Sequence, residues 1–127
     1  MNQKIETGKA PAAIGPYSQA VLADGFLFVS GQLPIDPATG AFPSDDIGEQ
    51  TRQSLTNIKA IVEEAGGSMS DIVKTTVLLA DIGDFAAMNA VYETFFSGTC
   101  PARAAFGVAG LPKNARVEIE AVACIRK

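Results

Sequence analysis

Histidine is absent from all 127 residues. Its absence removes the commonest general base near neutral pH, the commonest metal ligand and every Ser-His or Cys-His nucleophile arrangement. Acid-base chemistry is left to Asp, Glu, Lys or Tyr. Cysteine is scarce: Cys100 and Cys124 match no CxxC or other ligand spacing, so they read as reduced thiols, and metal binding has no support. No run of about eighteen or more apolar residues occurs. The opening MNQKIETGKAPAA lacks the apolar centre of a secretion signal, so a soluble, cytoplasmic chain without a membrane partner is expected. Basic residues are few, ten against fourteen acidic for a net charge of −4, and they are scattered, which argues against a nucleic-acid surface. Repeats, low-complexity tracts and charge runs are also missing, and residues 1–127 read as one domain.

Nearly half of the chain is apolar, enough for a core of ordinary size. After a short segment around Lys4 to Thr7, the Pro- and Ala-rich run Lys9 to Gly15 reads as a loop. Tyr17 to Leu22 and Phe26 to Gln32 suit antiparallel strands joined at Asp24-Gly25. Strict alternation in the second strand sends Phe26, Phe28 and Ser30 to one face and Leu27, Val29 and Gly31 to the other. The Pro-rich stretch after it should be irregular. Asp46 and Glu49 form a helix-start pair, Leu55, Ile58, Val62 and Ala65 recur at helical spacing, and Gly66-Gly67 ends the helix. Asp71 to Ala80 is β-branched and predicts a strand under that helix. A second helix starts at Asp84 with Phe85, Met88, Tyr92, Phe95 and Phe96 on one stripe, which Asn89 interrupts. The order β-β-α-β-α-β-β predicts an α+β domain, a mixed or antiparallel sheet with both helices on one face. The strands are apolar enough for the other face to be partly buried, which points to a homo-oligomer.

Chemistry concentrates between Pro101 and Ala121. There one arginine and two carboxylates sit on strand-like segments, and the two strands are expected to bring an Arg and a Glu close together. In VEIEAVACI, Val117, Ile119, Ala121 and Ala123 share one face, and Glu118, Glu120, Val122 and Cys124 the other. Arg103 is either a fork that binds a carboxylate through two parallel hydrogen bonds or a solvated, loosely paired surface residue. Glu120, flanked by Ile119 and Ala121, reads as a buried carboxyl suited to general acid-base work, or as a structural ion pair with Arg116, Arg103 or a lysine. Glu118 shares its face as a lesser candidate. Tyr17 either donates to a ligand or simply packs, and Asn89 needs a hydrogen-bond partner, which nearby backbone can supply.

GPYSQA at 15–20, VSGQLP at 29–34, PAR at 101–103, and LP with VEIEAVA at 111–123 closely resemble, in order and spacing, the RidA (YjgF/YER057c/UK114) family of reactive-intermediate deaminases. The resemblance covers essentially the whole chain. It implies a chorismate-mutase-like α+β fold assembled as a homotrimer, with active sites in the clefts between subunits. It implies hydrolysis of 2-imino acids such as 2-iminopropanoate or 2-iminobutanoate, tautomers of enamines, to 2-keto acids and ammonia, without a cofactor. On matching positions, Arg103 resembles the carboxylate-binding arginine and Glu120 the residue that activates water. The carbonyl of Ala105 is expected to help hold that water, and Tyr17, Ser30, Gly31 and Asn89 to line the pocket.

One departure stands out. Ala104, Ala105 and Phe106 follow PAR where many members carry Ser-Cys and a smaller aliphatic residue, so the thiol is lost and the cleft altered. Other readings are a non-catalytic metabolite-binding regulator of the same fold, an endoribonuclease or translation inhibitor, and a chaperone-like surface. Acidic charge and the missing histidine count against the ribonuclease.

Overall fold

The computed structural model describes residues 2–125. Its six strands are β1 (Gln3–Ile5), β2 (Ala20–Ala23), β3 (Phe26–Gln32), β4 (Ile72–Leu79), β5 (Ala102–Gly107) and β6 (Val117–Cys124), with helices α1 (Ile47–Glu64) and α2 (Phe85–Tyr92). They form one mixed sheet in the order β1-β2-β3-β6-β4-β5. Only β4 and β5 pair in parallel, and the crossover a parallel pair requires contains α2. The last strand inserts between β3 and β4, antiparallel to both. The α+β arrangement with both helices on one face is as expected. Among the described residues no helix is long and apolar enough to cross a membrane.

The first helix begins and ends where its sequence indicates. The Asp46 carboxylate accepts from the amide of Glu49 at 2.9 Å, which satisfies one of the otherwise free amides of the first turn. At the other end Gly66 takes φ +91°. Its amide bonds the Glu63 carbonyl and that of Gly67 the Val62 carbonyl, both at 3.0 Å, a paired closure that glycine enters without steric cost. Leu55, Ile58, Ile61 and Val62 are fully buried against Val77, Leu79, Val117, Ile119 and Ala123 of the sheet.

The chain departs from its sequence reading at three places. The segment near Lys4 is a strand, β1, paired with β2; at three residues it is too short for alternation to reveal it. The second strand starts at Ala20 rather than Tyr17. Gln19 turns inward instead: its amide nitrogen donates to the carbonyls of Thr7 and Pro11 at 3.1 and 2.8 Å, and its oxygen accepts from the amide of Thr7 at 2.7 Å. The third departure is in β3. Val29 pairs with Ala121 but Gln32 with Ile119, three steps on one strand against two on the other. This bulge reverses the alternation, so Gln32 is buried and Gly31 is exposed, not grouped with Leu27 and Val29.

The face away from the helices stays open. Phe26, Phe28 and Phe106 are 45%, 51% and 47% exposed there, three large apolar rings on one sheet face of the kind that marks an interaction surface.

Gln19 is therefore the fastener of the loop that carries Tyr17. Gln19→Ala is expected to cost about 1–3 kcal/mol, seen as a lower thermal midpoint. Hydrogen exchange should speed up at the Thr7 amide while β3 and β6 amides stay protected.

Candidate active site

Arg103 and Ala105 lie opposite Thr75 and Val77 in the parallel register of β4 and β5. Thr75 and Val77 are buried under the helices, so Arg103 and Ala105 face the helical side. The Arg103 side chain lies along α2. Its Nη1 donates to the Asn89 Oδ1 at 2.6 Å, and its guanidinium carbon stands 4.8 Å from the centre of the Tyr92 ring and 5.4 Å from that of Phe85. Asn89 is therefore half-buried at the edge of the apolar stripe, not within it. Behind it, the Tyr92 hydroxyl and Thr75 Oγ1 share a buried 2.7 Å hydrogen bond. Burial pushes the Tyr92 phenol up, opposed by the bond to Thr75 and by the Arg103 charge.

No carboxylate pairs with Arg103 among the described residues, whose ion pairs are Lys4–Glu6, Lys59–Glu63 and Arg116–Asp84. A pocket of about 400 Å³ opens beside the guanidinium, between Asn89, Tyr92, Glu93 and Cys100. A planar cation with free donors on the wall of a small pocket suits a carboxylate ligand. Cys100 supplies a thiol on this wall, in a chain whose PAR-following positions carry none.

Glu118 and Glu120 project from the opposite face of the sheet. Val117, Ile119, Ala121 and Ala123 are buried beneath the helices, as the alternation predicts. A second cleft, about 770 Å³, brings Glu118 and Glu120 together with Tyr17, Ser30 and Gly31, and has Ile14 and Lys113 on its walls. Ser30 anchors the Tyr17 loop, its hydroxyl donating to the Ser18 carbonyl at 2.6 Å and its amide to the Gln19 carbonyl at 2.9 Å. The bulge sets Gly31 against Glu118: a Cβ at position 31 would lie 2.7 Å from Glu118 Oε2. The more buried carboxyl, expected at Glu120, is instead the half-buried Glu118. Glu120 is exposed, whereas burial, then the Glu120 charge, pushes the Glu118 carboxyl up. Neither acid forms an ion pair among the described residues.

The expected approach of Arg103 to a glutamate does not occur within one chain. β4 separates β5 from β6, and the side chains leave opposite faces. The candidate residues fall into two separate groups, candidate half-sites: Arg103 with Asn89 beside Ala105, and Glu120 with Tyr17, Ser30 and Gly31. Sequence reasoning missed Phe85 and Tyr92 as neighbours of Arg103, although the spacing 85, 89, 92 put them on one helix face with Asn89. It also missed Thr75, whose buried hydroxyl only the strand register reveals.

The family model described as Endoribonuclease L-PSP matches residues 7–125, a span that contains both half-sites. The product of the yjgF gene of Escherichia coli has a crystal structure that superposes with a TM-score of 0.94 at 52% identity, over 98% of this chain and 99% of that one. The chain belongs to the RidA family. Among RidA relatives, the RutC family protein y4sK of Sinorhizobium fredii is 58% identical, over 96% of this chain and 97% of its own. The 2-iminobutanoate/2-iminopropanoate deaminase of Capra hircus is 56% identical, over 94% and 87%. Within the RidA framework the departure after PAR falls on two faces: Ala105 packs against the core, whereas Phe106, in register with Leu78, is exposed.

The raised Glu118 pKa has a sign that can be checked. Between the ordinary value of 4.5 and the raised folded one, the folded chain binds more protons than the unfolded chain. The stability Glu118 contributes is thus present below 4.5 and lost as pH rises through the folded value. Glu118→Gln is expected to raise the thermal midpoint relative to wild type more at about pH 8 than at about pH 4. Equal shifts at both pH values would contradict the assignment.

Proposed function

We propose that this protein hydrolyses 2-imino acids to 2-keto acids and ammonia, in sites completed between subunits of a homotrimer. The observation that carries this reading is Arg103, a guanidinium held by Asn89 and two rings, yet without a carboxylate partner among the described residues. The Capra hircus relative, 56% identical and named for this activity, supports it. So does the open sheet face, where burial of Phe26, Phe28 and Phe106 against other copies would join the half-sites.

Arg103 binds the α-carboxylate and presents the C=N carbon to a water molecule. Glu120 takes one proton from the water as its oxygen bonds to that carbon, and the nitrogen gains a proton to give a carbinolamine. The carbinolamine hydroxyl then passes its proton through Glu120 to the nitrogen, and as the C=O bond forms the C–N bond breaks and ammonia leaves with the electron pair. Water is the only co-reactant, so no cofactor is required. Asn89 orients the guanidinium, the Ala105 carbonyl holds the water, and Tyr17, Ser30 and Gly31 shape the wall around Glu120. A positioned base contributes about 10²–10⁴-fold, which is sufficient for an imine that already hydrolyses in water. RNA is a poor fit: the larger cleft presents Glu118 and Glu120, which repel phosphate.

The test couples an amino-acid oxidase to the protein and follows imine loss by semicarbazide trapping. Arg103→Ala and Glu120→Ala should each lower kcat/KM by about a hundredfold or more. Mixed subunits of the two variants should regain roughly a quarter of wild-type activity, because random neighbours rebuild that share of sites. An active Arg103→Ala trimer overturns the role given to Arg103, and a wild type that does not speed imine loss overturns the deaminase reading. A mixture that stays inactive overturns the shared site. Wild-type protein that binds pyruvate without consuming imines would be a binding protein.

A further inference from the structure

Three side chains of α2 converge on Arg103. Phe85, Asn89 and Tyr92 follow the i, i+4, i+7 spacing that lines one helix face. The guanidinium carbon lies over both rings, and Nη1 donates a hydrogen bond to Asn89. Tyr92 is in turn immobilised. Its hydroxyl is bonded to Thr75 at 2.7 Å, and its ring centre lies 4.8 Å from that of Phe96. Thr75 is the residue directly opposite Arg103 in the β4–β5 register. The contacts therefore close a loop, from the Arg103 backbone to Thr75, to the Tyr92 hydroxyl and ring, and back to the Arg103 guanidinium.

We infer that Phe85 and Tyr92, with Thr75 behind Tyr92, are positioning residues that hold Arg103 ready for a carboxylate. An arginine on a strand is otherwise free to sample many rotamers, and ordering it on binding weakens affinity. A guanidinium over aromatic rings is held by cation–π attraction that uses none of its N–H donors. Asn89 accepts from Nη1 alone, and Arg103 lines the pocket where a carboxylate would meet its other donors. The phenol suits this role because burial keeps it protonated. A phenylalanine at 92 would keep the ring but lose the tie to β4.

This inference rests on the proposed deaminase for its kinetic consequence, but its first test needs no ligand. Nitrogen NMR of the guanidinium group in the intact protein reads the Arg103 Nε–H resonance. Wild type should give a ring-shifted signal with slow rotation about the terminal C–N bonds. Phe85→Leu and Tyr92→Phe should move that signal toward the ordinary arginine position and speed the rotation. A wild-type signal already ordinary and fast would overturn the inference, whatever the enzyme does.

Kinetics then separate positioning from mere folding. Phe85→Leu, Tyr92→Phe and Thr75→Val should raise KM for the imino acid roughly three- to tenfold with kcat nearly unchanged. The Tyr92→Phe and Thr75→Val effects should not add, since both break the same bond. In an Arg103→Ala background none of the three should alter pyruvate binding. Lower thermal midpoints with unchanged KM would make the cluster structural only and overturn the inference, while an active wild type left the deaminase reading intact. Arg103-dependent pyruvate binding, weakened by Phe85→Leu in a protein that consumes no imine, would keep the cradle and sink the deaminase.

Discussion

The two-residue period of β6 is the constraint on which both faces of this molecule depend. It lies between β3 and β4 and is bonded to both, so its alternate side chains have no freedom to choose a face. Val117, Ile119, Ala121 and Ala123 must meet the helices, and Glu118 and Glu120 must leave on the other side. A one-residue slip would bury two carboxylates and expose the core residues, an exchange no sheet tolerates. The position of the acids thus follows from the packing of α1.

The β3 bulge is the complementary adjustment. Without it, Gly31 would point under the helices and Gln32 would face Glu118. The extra residue sends Gln32 inward and places the one side chain small enough, a hydrogen, beside the Glu118 carboxylate. It also leaves the Ser30 hydroxyl and amide to fasten the loop before β2. A local irregularity in one strand therefore sets both the wall and the rim of the acidic cleft, as bulges beside functional sites commonly do.

Much of this was legible in the residues. Periodicity located α1 and its caps, the two faces of β6 and the start of α2, because each is a local pattern read within about one or two helical turns or a few strand residues. Arg103, Glu120 and Asn89 stood out as polar exceptions to those patterns. The rest depended on strand order and register, which no local window contains. That β6 inserts between β3 and β4 is invisible in the chain order, and with it the separation of Arg103 from Glu120. The assignment of the buried carboxyl to Glu120 failed for the same reason. Flanking apolar residues on its own strand face the helices, whereas its neighbours across the open face are Phe28, Lys74 and Thr76. Cross-strand context decides burial, and it makes Glu118 the half-buried acid.

The separation of the two half-sites has a chemical logic. An arginine and a glutamate within reach in one subunit would pair with each other, and a ligand carboxylate would have to displace that pair. Held on opposite faces, neither can neutralise the other in an isolated chain. Arg103 donates one Nη1 hydrogen bond to a neutral amide and lies over neutral rings, and no carboxylate pairs with it among the described residues. Glu120 has no cation partner among the described residues. In the proposed trimer the two would meet only across a cleft that a small carboxylate-bearing substrate can occupy. The substrate's carboxylate would then complete the arginine, while the glutamate would remain free to accept a proton from water. The aromatic cradle serves the same end, since a guanidinium locked against α2 cannot swing toward a neighbouring subunit's acid and close the site on itself.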